Sequence, residues 1–312
     1  MTSVVTVTFS PTIDISASTE SVRPERKLRC RNERRDPGGG GINVARVVTR
    51  LGGECRAIYP MGGSPGTLLH RLLDQEGIIS RAVECTADTR ESFTVLEEGT
   101  GDQYRFILPA GTLSEREWNA CLERLSGLAE LPAYVVVSGS LPPGVPAGIY
   151  GRVARIATAL GARMVVDSSG PALAEALNAG VFLVKPNLRE LSELSGRALA
   201  KAGDWERAAL DLVQAGKTEV VALTLGEKGA FLASRTLRLR AAPVEVEVAS
   251  AVGAGDSFLA GMVWRLSEGD GPEAAFRFAV AAGTAALLTP GTELCRKDDV
   301  ERLLPQVRIS PV

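Results

Sequence analysis

From residue 133 onward, four apolar runs each stop at a polar residue or glycine, and a helical pattern follows each. They are Tyr134-Val135-Val136-Val137 before Ser138-Gly139, Met164-Val165-Val166 before Asp167-Ser168, Phe182-Leu183-Val184 before Lys185-Pro186-Asn187, and Val220-Val221-Ala222-Leu223 before Thr224-Leu225-Gly226. A strand with one wet face alternates in polarity; these do not, so both their faces must be covered. The pattern predicts an α/β fold of three layers, α/β/α, with a mostly parallel central sheet. Val4-Val5-Thr6-Val7-Thr8-Phe9, rich in β-branched residues, reads as a further buried strand. Ligands of such sheets sit beyond the carboxyl ends of the strands. The glycines and polar residues singled out below gather there.

The 312 residues, 45% hydrophobic and 23% charged, suit one domain spanning 1–312. Short alternating segments over about 12–35 and 86–108 predict a small β-sheet lid interrupting it. A net charge of −2 gives no general pull toward nucleic acid or membrane, and no apolar run is long enough to span a bilayer. Five cysteines, far apart and without a C-x-x-C, exclude the common zinc signatures and argue for free thiols in a reducing cytoplasm. The start, Met1-Thr2-Ser3-Val4-Val5, carries no basic or long apolar segment of a secretion signal. The single histidine, His70, lies in a helical pattern with Leu69 and Leu73 and reads as structural. Chemistry must therefore come from carboxylates, lysine and arginine, backbone amides, and a metal brought by a ligand.

Ser250-Ala251-Val252-Gly253-Ala254-Gly255-Asp256 leads into a helical run, Phe258, Leu259, Met262, Val263 and Leu266. Small residues at a helix N-terminus leave N–H donors open to an anion. Asp256 would then stand beside a phosphate, or else cap the helix. Gly38-Gly39-Gly40-Gly41-Ile42-Asn43 opens a second helix; it lets a ligand approach the backbone, and Asn43 can both donate to and accept from a polyol. Asp14, just past the first strand, can accept from sugar hydroxyls or cap a turn. Residues 23–35 hold seven basic side chains, which suggest a nucleic-acid arm, a solvated run, or a strand. Lys27, Arg29 and Arg31 alternate with Leu28 and Cys30, which fits a strand with one cationic and one packing face. No Walker pattern is present. Asn187 and Glu190, three apart at a helix start, suit the water shell of Mg²⁺ or a simple cap. Thr224, Gly226 and Gly229 form a bend that can line a nucleotide.

Together these stretches resemble the ribokinase-like carbohydrate kinases of the PfkB family, and within it the 6-phosphofructokinase isozyme 2 branch, along essentially the whole chain. The similarity rests on Lys27-Leu28-Arg29-Cys30, Pro37 to Arg46, Ser138 to Gly144, Val166-Asp167-Ser168-Ser169-Gly170, Lys185-Pro186-Asn187 with Glu190, and Val252 to Ser257. The resemblance implies phosphorylation of fructose 6-phosphate by ATP at the C1 hydroxyl, in glycolysis. Asp256 would be the base, and the amides of Gly253, Ala254 and Gly255 the anion hole. Asp14, Gly39, Gly40 and Asn43 would surround the sugar, with Ser138 and Gly139 at the neighbouring strand end. Arg90, Lys27 and Arg29 would meet the 6-phosphate, the last two across a homodimer formed through the lid. Lys185, Asn187, Thr224, Gly226, Gly229, Val280, Gly283 and Thr284 would hold ATP, and Asn187 with Glu190 the Mg²⁺. Family members often hold K⁺ on carbonyl oxygens beside the anion hole; the matching positions are Ser250, Val252, Ala286, Thr289, Gly291 and Glu293. Thr289 and Glu293 depart from the amide and the basic residue expected there. Two related activities, 1-phosphofructokinase and tagatose-6-phosphate kinase, go with G-G-K-G at the glycine run, where this chain has Gly40. A non-catalytic sugar-phosphate sensor would retain the fold without needing Asp256.

Overall fold

Strand β1 (Val4–Val7) is buried at every residue, because it has a strand along each edge and helices over both faces. It lies inside the large sheet of the computed structural model, which describes residues 4–312. Met1, Thr2 and Ser3, on which the reading of the chain start partly rests, lie outside the described residues. In chain order there follow β2 (Thr12–Thr19), β3 (Arg31–Gly38), α1 (Gly40–Leu51), β4 (Cys55–Met61), α2 (Gly63–Gln75), β5 (Ile79–Glu84), β6 (Arg90–Glu97) and β7 (Gln103–Ile107). Next come α3 (Glu115–Ser126), β8 (Tyr134–Ser138), α4 (Ile149–Ala159), β9 (Arg163–Asp167), α5 (Gly170–Ala179), β10 (Val181–Val184), α6 (Leu188–Ser195) and α7 (Ala202–Gln214). The chain finishes with β11 (Thr218–Thr224), β12 (Ala230–Ser234), β13 (Arg238–Ala241), α8 (Ala254–Ser267), α9 (Pro272–Ala286), α10 (Lys297–Leu303) and β14 (Ile309–Pro311).

The large sheet runs β14-β13-β12-β11-β10-β9-β8-β1-β4-β5. It is parallel from β11 to β5, and antiparallel from β11 out to β14. From β1 the chain winds outward through β4 to β5, then returns to β8 and winds the other way. That reversal opens a crevice beyond the ends of β1 and β8. Alternate strand residues face two cores. Val136, Val165 and Leu183 pack with α1, α8 and α9, while Val135, Val137 and Val166 pack with α3, α4, α5 and α7. The three layers expected from the apolar runs are therefore present, and among the described residues no helix is long and apolar enough to cross a membrane.

A second sheet, ordered β3-β2-β6-β7, stands apart from the first. β2 is antiparallel to β3 and parallel to β6, with Thr12 beside Arg90 and Asp14 beside Ser92 and Asp36; Thr94 pairs with Arg105 of β7. The period of two thus sends Asp14, Asp36, Arg90 and Arg105 to one face. Ile13, Ile15 and Phe93 go to the other, against the core.

Two expectations fail. The fourth apolar run, β11, is followed not by an α-helix but by the antiparallel strands β12 and β13, because a tight turn at 226–229 sends the chain straight back along the sheet. The stretch Lys27 to Cys30 is not a strand; β3 begins at Arg31. The β2–β3 register breaks between Ser16 and Ser18, its last pair is Ser18 with Arg31, and Glu25 after Pro24 takes a φ of 60°. The chain turns there and leaves the ladder. Leu28 and Cys30 are exposed and make no packing face.

Candidate active site

The last turn before α8 holds the densest chemistry. Gly253 ends the approach at φ 77°, in the left-handed region, and a Cβ there would lie 2.5 Å from Leu294 Cδ2. Glycine is required on both counts. Among the described residues the amides of Gly253 and Gly255 make no backbone hydrogen bond, and that of Ala254 makes only a long one, 3.5 Å, to Ala251 O. These unengaged donors at the positive end of a fourteen-residue helix form a cradle for an anion.

Asp256 sits in the first turn of α8. Its carboxylate accepts a 2.8 Å hydrogen bond from Asn43 Nδ2, on α1, rather than from its own helix. Burial pushes its pKa up, against the Asn43 hydrogen bond and the charge of Lys185. Asp14, on the polar face of the small sheet, adds a like charge that raises it further. Its own pKa is raised to about 6 by burial, with Arg90, Arg105 and Arg46 pulling the other way. Arg90 is itself held below its usual value by burial, and its Nε is buried without a partner. A desolvated guanidinium with an open donor suits an anionic ligand.

The glycine run closes over the crevice between β1 and β8. A Cβ on Gly40 would overlap Ser138 Oγ and lie 2.9 Å from the Gly139 amide. The Ser138 side chain is buried and bonds toward Asp167; the Gly139 carbonyl accepts from Tyr150 and Ser168. On this side Asn43 meets Asp256 and Gly38 packs against Asp14, with Gly39 between them in the chain, so a polyol can be held there.

Beneath the cradle, Lys185 Nζ lies 3.1 Å from Asp167 Oδ2 and would be 3.5 Å from a Cβ on Gly255. Burial opposes the Lys185 charge, but Asp167, Glu190 and Asp256 outweigh it and keep its pKa above the ordinary value. Asp167 is raised to about 6 by burial in spite of that ion pair. Asn187 caps α6 in a reciprocal box: its Oδ1 accepts from Glu190 N at 2.9 Å, and Glu190 Oε2 accepts from Asn187 N at 2.8 Å. The capping alternative is therefore realised, yet among the described residues the second carboxylate oxygen of Glu190 has no hydrogen bond. Burial raises the Glu190 pKa, and Asp167 adds to it. A hydrated Mg²⁺ would relieve that setting, so the two residues fit the ion.

On the other side of the cradle a cavity of about 640 Å³ is lined by Asn187, Thr224, Gly226, Gly229, Gly255, Val280, Gly283 and Thr284, with Phe258 and Val246 among its apolar walls. Its size suits a nucleotide. Behind the cradle, Ser250 N bonds to Leu287 O and Gly253 abuts Leu294, so segments 250–253 and 286–294 lie together. That groups Ser250, Val252, Ala286, Thr289, Gly291 and Glu293. Two residues that the sequence placed at the sugar phosphate are not brought in. Lys27 and Arg29 lie on the exposed loop, and neither contributes to the field at Asp14. Two residues of the site carried no assigned role from sequence, Arg105 and Asp167. Asp167 ends an apolar strand and Arg105 alternates with β formers, and either pattern was a usable signal.

A family model described as pfkB family carbohydrate kinase matches residues 1–299. The ATP-dependent 6-phosphofructokinase isozyme 2 of Mycobacterium tuberculosis (strain H37Rv) is 46% identical over 299 residues, 96% of this chain and 88% of that protein. Phosphofructokinase-2 from Escherichia coli in complex with potassium superposes with a TM-score of 0.94 at 40% identity, covering 98% of this chain and 99% of that one. The same Escherichia coli protein in complex with fructose-6-phosphate gives 0.92 at 40% identity, with the same coverage.

Proposed function

The chain belongs to the pfkB family of carbohydrate kinases, and we propose that it transfers the γ-phosphoryl group of ATP to the C1 hydroxyl of fructose 6-phosphate. The observation that carries this is the position of Asp256. Its carboxylate lies between the sugar-side group of Asn43 and Asp14 and the nucleotide-side cavity, at the first turn of the helix that carries the cradle.

Asp256 accepts the proton of the C1 hydroxyl as that oxygen attacks phosphorus. Its raised pKa makes it a better base than an ordinary carboxylate. Asn43 holds the carboxylate in line and favours its ionised form. The amides of Gly253, Ala254 and Gly255 meet the charge on the transferring phosphoryl group, and Lys185, under Gly255, adds a positive charge. Asp14 accepts from the sugar hydroxyls, while Arg90 and Arg105 face the 6-phosphate. Glu190 and Asn187 would hold hydrated Mg²⁺ brought with ATP, which would supply positive charge against the phosphates. Val280, Gly283 and Thr284 line the end of the cavity for adenine, and Thr224, Gly226 and Gly229 the phosphate end. Gly40 favours fructose 6-phosphate over the substrates of G-G-K-G enzymes, because no side chain fits between it and Ser138.

The small sheet acts as a lid and as a dimer interface. Its edge strand β7 and the neighbouring loop expose Phe106, Ile107 and Leu108, and Leu28 is bare on the loop before β3. Lys27 and Arg29, which make no ion pair among the described residues, are then free to reach the partner's sugar phosphate. Free thiols among the described residues and use of ATP fit a cytoplasmic enzyme.

A coupled assay for ADP release, run with fructose 6-phosphate, fructose 1-phosphate and tagatose 6-phosphate, tests the reading. The highest kcat/KM is expected for fructose 6-phosphate. A preference for fructose 1-phosphate would overturn the choice of substrate, and no ADP with any sugar phosphate would leave a sensor.

A further inference from the structure

The loop behind the cradle contains a cation of the chain's own. Six carbonyls, those of Ser250, Val252, Ala286, Thr289, Gly291 and Glu293, are where a K⁺ would be held if this chain followed the resemblance. Two of them are already engaged. Ala286 O accepts from the Thr289 hydroxyl at 2.9 Å and from its amide at 3.3 Å. Glu293 O accepts from Arg50 Nη1 in a very short hydrogen bond.

Arg50 is not a passing surface group. It lies in the last turn of α1, its side chain is 26% exposed, and its other nitrogen is 3.3 Å from Glu76 Oε2. Glu76 is fixed in turn by the fully buried Arg46, at 2.7 Å. The Glu293 carboxylate does not neutralise Arg50: it is shared between Arg34 at 3.2 Å and Arg296 at 2.7 Å. A K⁺ entering this loop would compete with a guanidinium for the Glu293 carbonyl and meet that charge at the edge of its shell. The carbonyl donor set therefore does not fit the ion as a closed site.

We propose that Arg50 is the resident monovalent cation of the anion-hole loop, so that this enzyme orders Gly253 to Gly255 without K⁺ and does not bind it. The guanidinium ties Glu293 to α1, and Leu294, the next residue, supports Gly253. Through those contacts Arg50 acts as a positioning residue for the cradle. The inference rests on reading 253–255 as the phosphate site.

The test uses the full chain in tetramethylammonium chloride, titrated with Tl⁺ as a K⁺ mimic and followed by thallium NMR. No turnover is needed, so the result stands apart from the choice of substrate. The wild type is expected to show no saturable Tl⁺ binding, and replacing tetramethylammonium by K⁺ should change kcat/KM by less than about twofold. Arg50→Gln should lose about tenfold or more in tetramethylammonium, regain it in K⁺, and acquire saturable Tl⁺ binding. Saturable binding by the wild type, strong K⁺ activation of the wild type, or an Arg50→Gln variant that matches the wild type in both media would each overturn the proposal. Circular dichroism shows whether Arg50→Gln is folded. If it is not, the wild-type titration decides alone, with binding against the proposal and its absence for it.

Discussion

At Asp256 burial pulls toward the neutral acid, while Asn43 and Lys185 pull toward the carboxylate. The balance leaves its pKa above the ordinary carboxylate value, which makes it a stronger base than an exposed aspartate. Asp256→Asn keeps the shape and removes the base, so turnover should fall by about 10²–10⁴-fold while fructose 6-phosphate still binds, as measured by isothermal titration. Near-normal turnover would reduce Asp256 to a helix-start residue. Activity should decline on the acid side as Asp256 is protonated. Losing the Asn43 donor removes an interaction that favours the ionised form, so Asn43→Ala should move the acid limb of the kcat profile to higher pH. A limb that stays in place would put the base elsewhere. Stability follows the opposite sign. Asp14 and Asp167 have folded-state pKa values of about 6 against an ordinary 3.8, so the folded chain holds these protons more tightly. Their contribution is complete below about pH 4 and is lost as pH rises through about 6.

Helix α6 has two roles that substitutions can separate. Asn187→Ser keeps an oxygen for the Glu190 amide, and Glu190→Gln keeps the box, so neither should lower the melting temperature much; Asn187→Ala should cost about 1 kcal/mol. Glu190→Gln should nevertheless raise the Mg²⁺ concentration needed for half-maximal rate severalfold, and an unchanged Mg²⁺ dependence would leave α6 merely capped. Strand ends such as Val166-Asp167 and Val184-Lys185 were legible from sequence because parallel strands buried on both faces are unbroken apolar runs that stop abruptly. The glycines at 38–41 and 253–255 were legible for a similar reason, each opening a helix. What sequence order conceals is pairing over distance. β2 lies parallel to β6, some eighty residues away, and only that register sets Asp14 beside Arg90 and Arg105. The alternation of Lys27 to Arg31 misled because it had the period of a strand but no partner to ladder with: beyond the bulge at Ser16/Ser18 the pairing stops at Ser18 with Arg31.

For the whole molecule, the outer rim of the small sheet is the unresolved apolar surface. Phe106 is 55% exposed and Ile107 56%, more than an isolated edge strand tolerates comfortably. Sedimentation velocity should show a dimer. The double change Phe106→Glu with Ile107→Lys should give a folded monomer whose KM for fructose 6-phosphate is raised about tenfold while that for ATP is unchanged. A wild-type monomer would remove the shared site along with any trans role of Lys27 and Arg29. The contact between Gly40 and Ser138 has a consequence for divergence. That wall admits not even one methyl group as it stands, so the lysine of a G-G-K-G enzyme cannot enter at 40 unless Ser138 and Gly139 move with it. A change of acceptor sugar on this bank takes paired changes at two strand ends, whereas on the opposite bank single changes of length and charge suffice.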